Sequence, residues 1–163
     1  MSRKARAFAI ATVLLLGTDC STKHLAVELL PASGQPVRIL GDLLRFTLAY
    51  NTRAAAGVPV HRLALVAFGV LAVAVIAWQY AKLAGRDGRA AAALGLILGG
   101  AIGNLIDRAA SARGVVDFID VGVGRYRYWT FNVADIGIVV GVVLLIWSGV
   151  LDTRKPAPLA PAG

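Results

Sequence analysis

The chain has 163 residues, 58% of them hydrophobic and 16% charged, with a formal net charge of +8. That balance excludes a soluble domain with a polar surface, while one cysteine and two histidines exclude an internal disulfide framework and a cysteine- or histidine-rich zinc site. The cations are scattered through short segments without a basic stripe or interleaved aromatics, so nucleic acid is not an expected partner.

Four apolar stretches, at about residues 7–25, 63–82, 91–107 and 133–151, approach the roughly 20 helical residues that cross a bilayer core. They predict a mainly α membrane protein, a four-transmembrane-helix bundle forming one domain over residues 1–155, followed by a disordered Pro/Ala tail at 156–163. The first stretch follows Arg3, Lys4 and Arg6 and ends near Gly17-Thr18-Asp19-Cys20, as a secretory signal peptide would. Asp19 stands where such a cleavage site needs a small residue and no polar mature domain follows, so the stretch is read as the first span, with Cys20 expected as a small core thiol.

Residues 31–62 open with Pro31, Gly34 and Pro36 and carry a β-like run from Val37 to Tyr50, which predicts a small sheet against the outer leaflet. Leu83 to Ala90 reads as a short glycine-containing turn. Residues 108–131 form a second outer segment, able to pair with the first, in which Tyr128 and Trp129 suit an interfacial aromatic belt. Cations divide equally between the two sides of this topology. They are denser in the short segments that include the N-terminus, which predicts both termini in the cytoplasm.

This topology brings polar groups of four stretches to one depth: Asp19 and Lys23, then Asn104, Asp107 and Arg108, then Asp117, then Asn132 and Asp135. Polar groups near a bilayer core are costly unless they face each other or a wet cavity, so convergence marks a candidate site. Each piece has a plainer explanation. Asp19 and Lys23 fit an i,i+4 ion pair, and structural support is their better reading. Asn132 with Asp135 fits a helix N-cap with an acid in the first turn. Arg108 suits a span end at the phosphates, and Asp117 suits a loop. The combination is what the plain readings do not explain.

Neither His24 nor His61 belongs to a nucleophilic triad, no cluster has zinc spacing, and Gly99 and Gly100 lie inside a span, where close helix packing is their usual role. No metal or other cofactor is expected. Two neighbouring aspartates cannot both ionise easily, so one can activate a water while the other, protonated, polarises a carbonyl, which is the chemistry of amide hydrolysis.

Asp19 with Lys23, Asn51-Thr52 after a β-like run, the segment Gly99-Gly100-Ala101-Ile102-Gly103-Asn104-Leu105-Ile106-Asp107-Arg108, Val115-Val116-Asp117-Phe118 and Phe131-Asn132-Val133-Ala134-Asp135 together resemble lipoprotein signal peptidase, the bacterial signal peptidase II family. The resemblance spans roughly residues 7–151. It implies an aspartic endopeptidase of the bacterial inner membrane that cuts prolipoproteins just before their diacylglyceryl-modified cysteine, at a site near the outer face. Asp117 and Asp135 match its catalytic dyad. Asn51, Gly100, Asn104, Arg108, Asn132 and Ala134 match positions that line or support the site, with Asp19 and Lys23 as a supporting pair, whereas Asp107 and Asp120 lie outside the dyad. It further implies a small extracellular β-cradle, a mobile segment at Thr52 to Val60, sensitivity to globomycin, and contact with membrane lipid; a monomer suffices. Asp117 is expected to carry the proton more often than Asp135, which sits at a helix N-terminus.

Three positions depart from the family pattern: Arg53 replaces a glycine, Ala56 an aromatic, and Cys20 stands where the family commonly has glutamine after the aspartate. They leave open a specialised relative, or a non-catalytic one that binds lipoprotein precursors or inhibitor. A transporter is disfavoured because the charges cluster at one face and form no through-path.

Overall fold

The computed structural model describes residues 1–52, 60–83 and 87–149. Their order is α1 (Arg3–Leu29), β1 (Val37–Leu40), β2 (Leu44–Asn51), α2 (Arg62–Lys82), α3 (Gly88–Ala110), β3 (Val115–Val123), β4 (Tyr126–Arg127) and α4 (Val133–Trp147). The protein is mainly helical, with one small antiparallel sheet in the order β1-β2-β3-β4. The expected tail at 156–163, Arg53, Ala56 and most of the expected mobile segment lie outside the described residues, as does the centre of the turn between α2 and α3.

Small residues make α3 the central helix, in contact with α1, α2 and α4. Gly95, Gly99 and Gly103 recur every four residues along the side facing α1. A Cβ on Gly95 would stand 2.5 Å from the Phe8 carbonyl oxygen, and one on Gly99 2.8 Å from that of Thr12. A Cβ on Gly103 would strike the Asp19 carboxylate. Gly100, one step around the helix, faces α4, and its Cβ would lie 2.5 Å from the Ala134 carbonyl oxygen. This is the small-residue packing that lets apolar helices approach closely, and it brings polar side chains of separate helices within reach of one another.

The outer helices turn apolar surface outward. Among its described residues α2 buries only Leu65 and Ile76, while Phe68 and Trp78 are exposed; α4 buries Ala134, Gly137 and Gly141 and exposes Val139, Val143 and Ile146. Apolar surface of this extent fits a bilayer rather than water. By length and composition α2 and α3 can each cross one. The helix α1 is longer than the expected 7–25, beginning at Arg3 because the Ser2 hydroxyl accepts the Ala5 amide, and it carries Asp19 and Lys23 within its length. In α4, 15 residues are described as helix.

Cys20 corrects an expectation: it is exposed, not in the core. Asp19 occupies the buried side of α1, and the next residue is turned about 100° away from it.

The β-like run from Val37 is two strands joined by a turn through Gly41, whose φ is 54°. Asn51 pairs with Val115 and Ala49 with Asp117, and the β2–β3 register shifts between Phe46 and Ala49. The predicted pairing of the two outer segments is therefore present. A further device ties α4 to this sheet: the Phe118 and Ile119 amides both donate to the Phe131 carbonyl, at 3.0 and 2.8 Å, and the Phe131 amide donates back to Ile119 at 3.0 Å. Two residues opposite one is the pattern of a bulge, and it sets the start of α4 beside the middle of β3.

Candidate active site

Asp117 comes from the central strand β3 and is 3% exposed. Asn51 is opposite Val115, two residues before Asp117, so the two side chains share a face as diagonal neighbours. The Asn51 Nδ2 donates to Asp117 Oδ2 at 3.1 Å. On the helix side Asn132 Nδ2 donates to Asp117 Oδ1 at 2.7 Å. Asp117 is thus gripped by two neutral amides.

Asp135 enters from the first turn of α4. Asn132 caps this helix: its Oδ1 accepts the Asp135 amide at 3.1 Å, and Asp135 Oδ2 accepts the Asn132 amide at 3.2 Å, closing a capping box. The other oxygen, Oδ1, accepts from Asn104 Nδ2 at 2.9 Å. Asn132 Nδ2 also donates to Asn104 Oδ1 at 3.1 Å. The two asparagines therefore link the carboxylates: Asn132 touches both, and Asn104 holds Asp135 while touching Asn132. The expected cap at Asn132 is present: its carbonyl end caps the helix, while its amide end reaches across to Asp117 on β3.

Beneath this pair lies a charged cluster. Lys23 Nζ is 2.7 Å from Asp19 Oδ2 and 2.9 Å from Asp107 Oδ2, and it donates to Asn104 Oδ1 at 2.9 Å. Asp19 Oδ1 accepts the Ala134 amide at 2.8 Å, and Asp107 Oδ2 accepts the Val116 amide at 3.2 Å. Asp19 thus holds the backbone one residue before Asp135, and Asp107 holds it one residue before Asp117. The expected Asp19–Lys23 ion pair is present, and Asp107 shares the same ammonium. The spacing of Asp107 after Asn104 gave no sign of its link to β3.

Ala134 is fully buried against Gly100. Arg108 is half-buried and folds back on its own helix, its NH1 donating to the Asn104 carbonyl at 3.3 Å. Its charge is felt by Asp135, Asp117 and Asp107, with no direct ion pair to them among the described residues. Arg62 was not singled out from sequence, yet its guanidinium donates to the Arg108 and Ala109 carbonyls at 2.8 and 2.7 Å and so caps α3.

Electrostatics separate Asp117 from an ordinary acid. Burial, and then the negative charge of Asp135, push its carboxyl up to about 6, against the opposing effects of the Asn51 and Asn132 hydrogen bonds and the Lys23 charge. A group titrating there exchanges its proton near neutral pH, as acid–base work requires. An open apolar groove of about 270 Å³ adjoins Asp135, walled by Tyr128, Phe131, Ile136, Val139 and Val140. Among the described residues no group of three or more His, Cys, Asp or Glu side chains has the geometry of a metal site.

Residues 11–151 match the family model described as signal peptidase (SPase) II. The chain is 42% identical over 153 residues to the lipoprotein signal peptidase of Mycobacterium tuberculosis (strain ATCC 25618 / H37Rv), covering 88% of this chain and 71% of that protein. It is 41% identical over 146 residues to that of Hydrogenovibrio crunogenus (strain DSM 25203 / XCL-2), covering 83% and 80%. A bacterial membrane enzyme solved by the in meso method at 1.9 Å resolution superposes with a TM-score of 0.78 at 26% identity, covering 90% of this chain and 94% of that one.

Proposed function

Because the chain belongs to the lipoprotein signal peptidase (signal peptidase II) family, we propose that it is an aspartic endopeptidase that removes the signal peptide of diacylglyceryl-modified prolipoproteins, cutting before the lipidated cysteine. The observation that carries this reading is the pairing of Asp117 and Asp135 through Asn132 and Asn104, with amide groups of Asn51, Asn104 and Asn132 donating to their oxygens.

In this reaction a water between the carboxyls gives a proton to ionised Asp135 while its oxygen bonds to the scissile carbonyl carbon. The carbonyl oxygen takes the proton of Asp117. Collapse of the tetrahedral intermediate returns that proton to Asp117, and Asp135 delivers its own to the departing amine. The raised proton affinity of Asp117 supports its role as the protonated partner, and the capping position of Asp135 supports the ionised one. Lys23, Asp19, Asp107 and Gly100 act as positioning residues. The four helices serve as four spans with both termini in the cytoplasm, in the inner membrane, and the sheet forms a cradle at the outer face. The apolar groove beside Asp135 suits a substrate tethered by acyl chains.

The test is a gel-shift cleavage assay of the purified chain on a diacylglyceryl-modified prolipoprotein, with and without globomycin. The parent cleaves, and Asp117→Asn and Asp135→Asn do not. A parent that binds but fails to cut a substrate processed by an active peptidase would replace this reading with a precursor-binding relative.

A further inference from the structure

The end of the bundle away from the sheet has a charge problem that the proposed reaction does not use. Arg3 lies against the start of α3, the Lys4 ammonium donates to the Leu83 carbonyl at the end of α2, and Arg89 lines a groove with Trp147 and Ser148 at the end of α4. Arg3, Lys4, Arg6, Lys82 and Arg89 therefore gather at this end. Among the described residues their acidic counterpart is Asp87, and its carboxylate is engaged in capping the Ala90 amide at 3.0 Å.

Two of these cations have partners within the fold. Lys4 lies 4.4 Å from the Tyr80 ring centre, and Lys82 lies 3.9 Å from that of Trp78. Arg89 is exposed and has no hydrogen bond, ion pair or ring contact among the described residues. It also stands in the first turn of α3, where the helix dipole disfavours a cation. Nothing in the local helix accounts for a positive charge there.

Arg89 stands beside an apolar space. The groove between α3 and α4 measures about 280 Å³ and is walled by Ala92, Leu144, Trp147 and Ser148 together with Arg89. Trp147 is 84% exposed, and the Ser148 hydroxyl already donates to the Leu145 carbonyl at 2.7 Å. A small soluble anion would match Arg89 and leave the wall bare. A zwitterionic lipid would cover the wall and add its own cation to an already positive end.

We infer that this groove seats an anionic phospholipid, with the phosphate headgroup on Arg89 and an acyl chain along Ala92, Leu144 and Trp147. A basic residue at the mouth of an interhelical apolar groove is the combination that selects such lipids over neutral ones.

Native mass spectrometry of the full chain in detergent, with dioleoylphosphatidylglycerol and dioleoylphosphatidylcholine supplied in equal amounts, reads the preference directly. The parent should retain phosphatidylglycerol about five-fold better, and Arg89→Ala should bring the two lipids to near parity. Trp147→Ala should weaken retention of both. Unchanged circular dichroism and unchanged prolipoprotein cleavage in both variants would separate lost lipid from lost fold. Equal retention by the parent overturns the inference, as does an undiminished preference in Arg89→Ala. Loss of preference only in Arg154→Ala/Lys155→Ala would assign the lipid to the tail cations and overturn the groove as its seat.

Discussion

Two aspartates three residues apart on β3 are both buried, yet their surroundings are opposite. Asp120 meets a cation: Arg127 Nε lies 2.6 Å from its Oδ1, and Thr47 donates to its Oδ2 at 3.1 Å. The same guanidinium reaches the Asp42 carbonyl at 2.8 Å, and Asp42 in turn pairs with Arg45 and accepts the Gly124 amide, so this half of the strand is held by compensated charge. Asp117 is met by the amides of Asn51 and Asn132, and a second acid stands nearby. A carboxylate solvated only by amides beside another acid can take up and release a proton near neutral pH. Burial alone does not mark a working acid; the identity of its donors does.

The largest expected effect comes from removing the proton-exchanging half. Asp117→Asn or Asp135→Asn should lower single-turnover cleavage by roughly 10³-fold or more with folded protein retained. Activity that survives in either would remove the distinction between Asp117 and Asp120. Next is the packing that holds the pair: Gly100→Ala places a methyl 2.5 Å from the Ala134 carbonyl. It should cost about 1–3 kcal/mol of stability, read by thermal unfolding in detergent, and should also reduce cleavage because the start of α4 must shift.

Asp120→Asn supplies the contrast. It should lose about 1–3 kcal/mol by removing the nearer of the two acids paired with Arg127, while the cleavage rate per folded molecule stays near that of the parent. A selective loss of rate would mean that the two halves of β3 are not separate in function.

The smallest effect is a pH dependence. The carboxyl of Asp117 titrates at about 6 in the fold, above its ordinary value of 3.8. The folded state therefore binds this proton more tightly than the unfolded chain, and the contribution of this group is fully present below about 4 and is lost as pH rises through about 6. Asp117→Asn should consequently be more stable than the parent at pH 8, and this advantage should vanish by about pH 4. The gain should be only about 1 kcal/mol, because one of the two amide donors would then face an amide rather than an oxygen. A parent-minus-variant difference that is flat across this range would show that Asp117 is not the perturbed acid.

The sequence by itself determined the apolar helical stretches, the β-like outer segments, and the candidate residues that reach one end of the bundle. These follow from local physics: run length, turn residues, and the cost of polar groups among apolar neighbours. The family resemblance singled out Asp117 and Asp135, and the residues from Asp19 to Ala134 expected around them do converge there. Tertiary structure alone decided how they converge. The doubled hydrogen bond from Phe118 and Ile119 to Phe131 sets α4 against β3, and the close approach along Gly95, Gly99 and Gly103 brings Lys23 to Asp107. It also decided that Asp107 supports the site, that Arg62 caps α3, and that Cys20 is exposed. These outcomes depend on contacts between residues far apart in the chain and on a bulge in β2, where the step from Phe46 to Ala49 spans only Ile119 to Asp117 of β3 and so shifts the pairing that simple alternation would give.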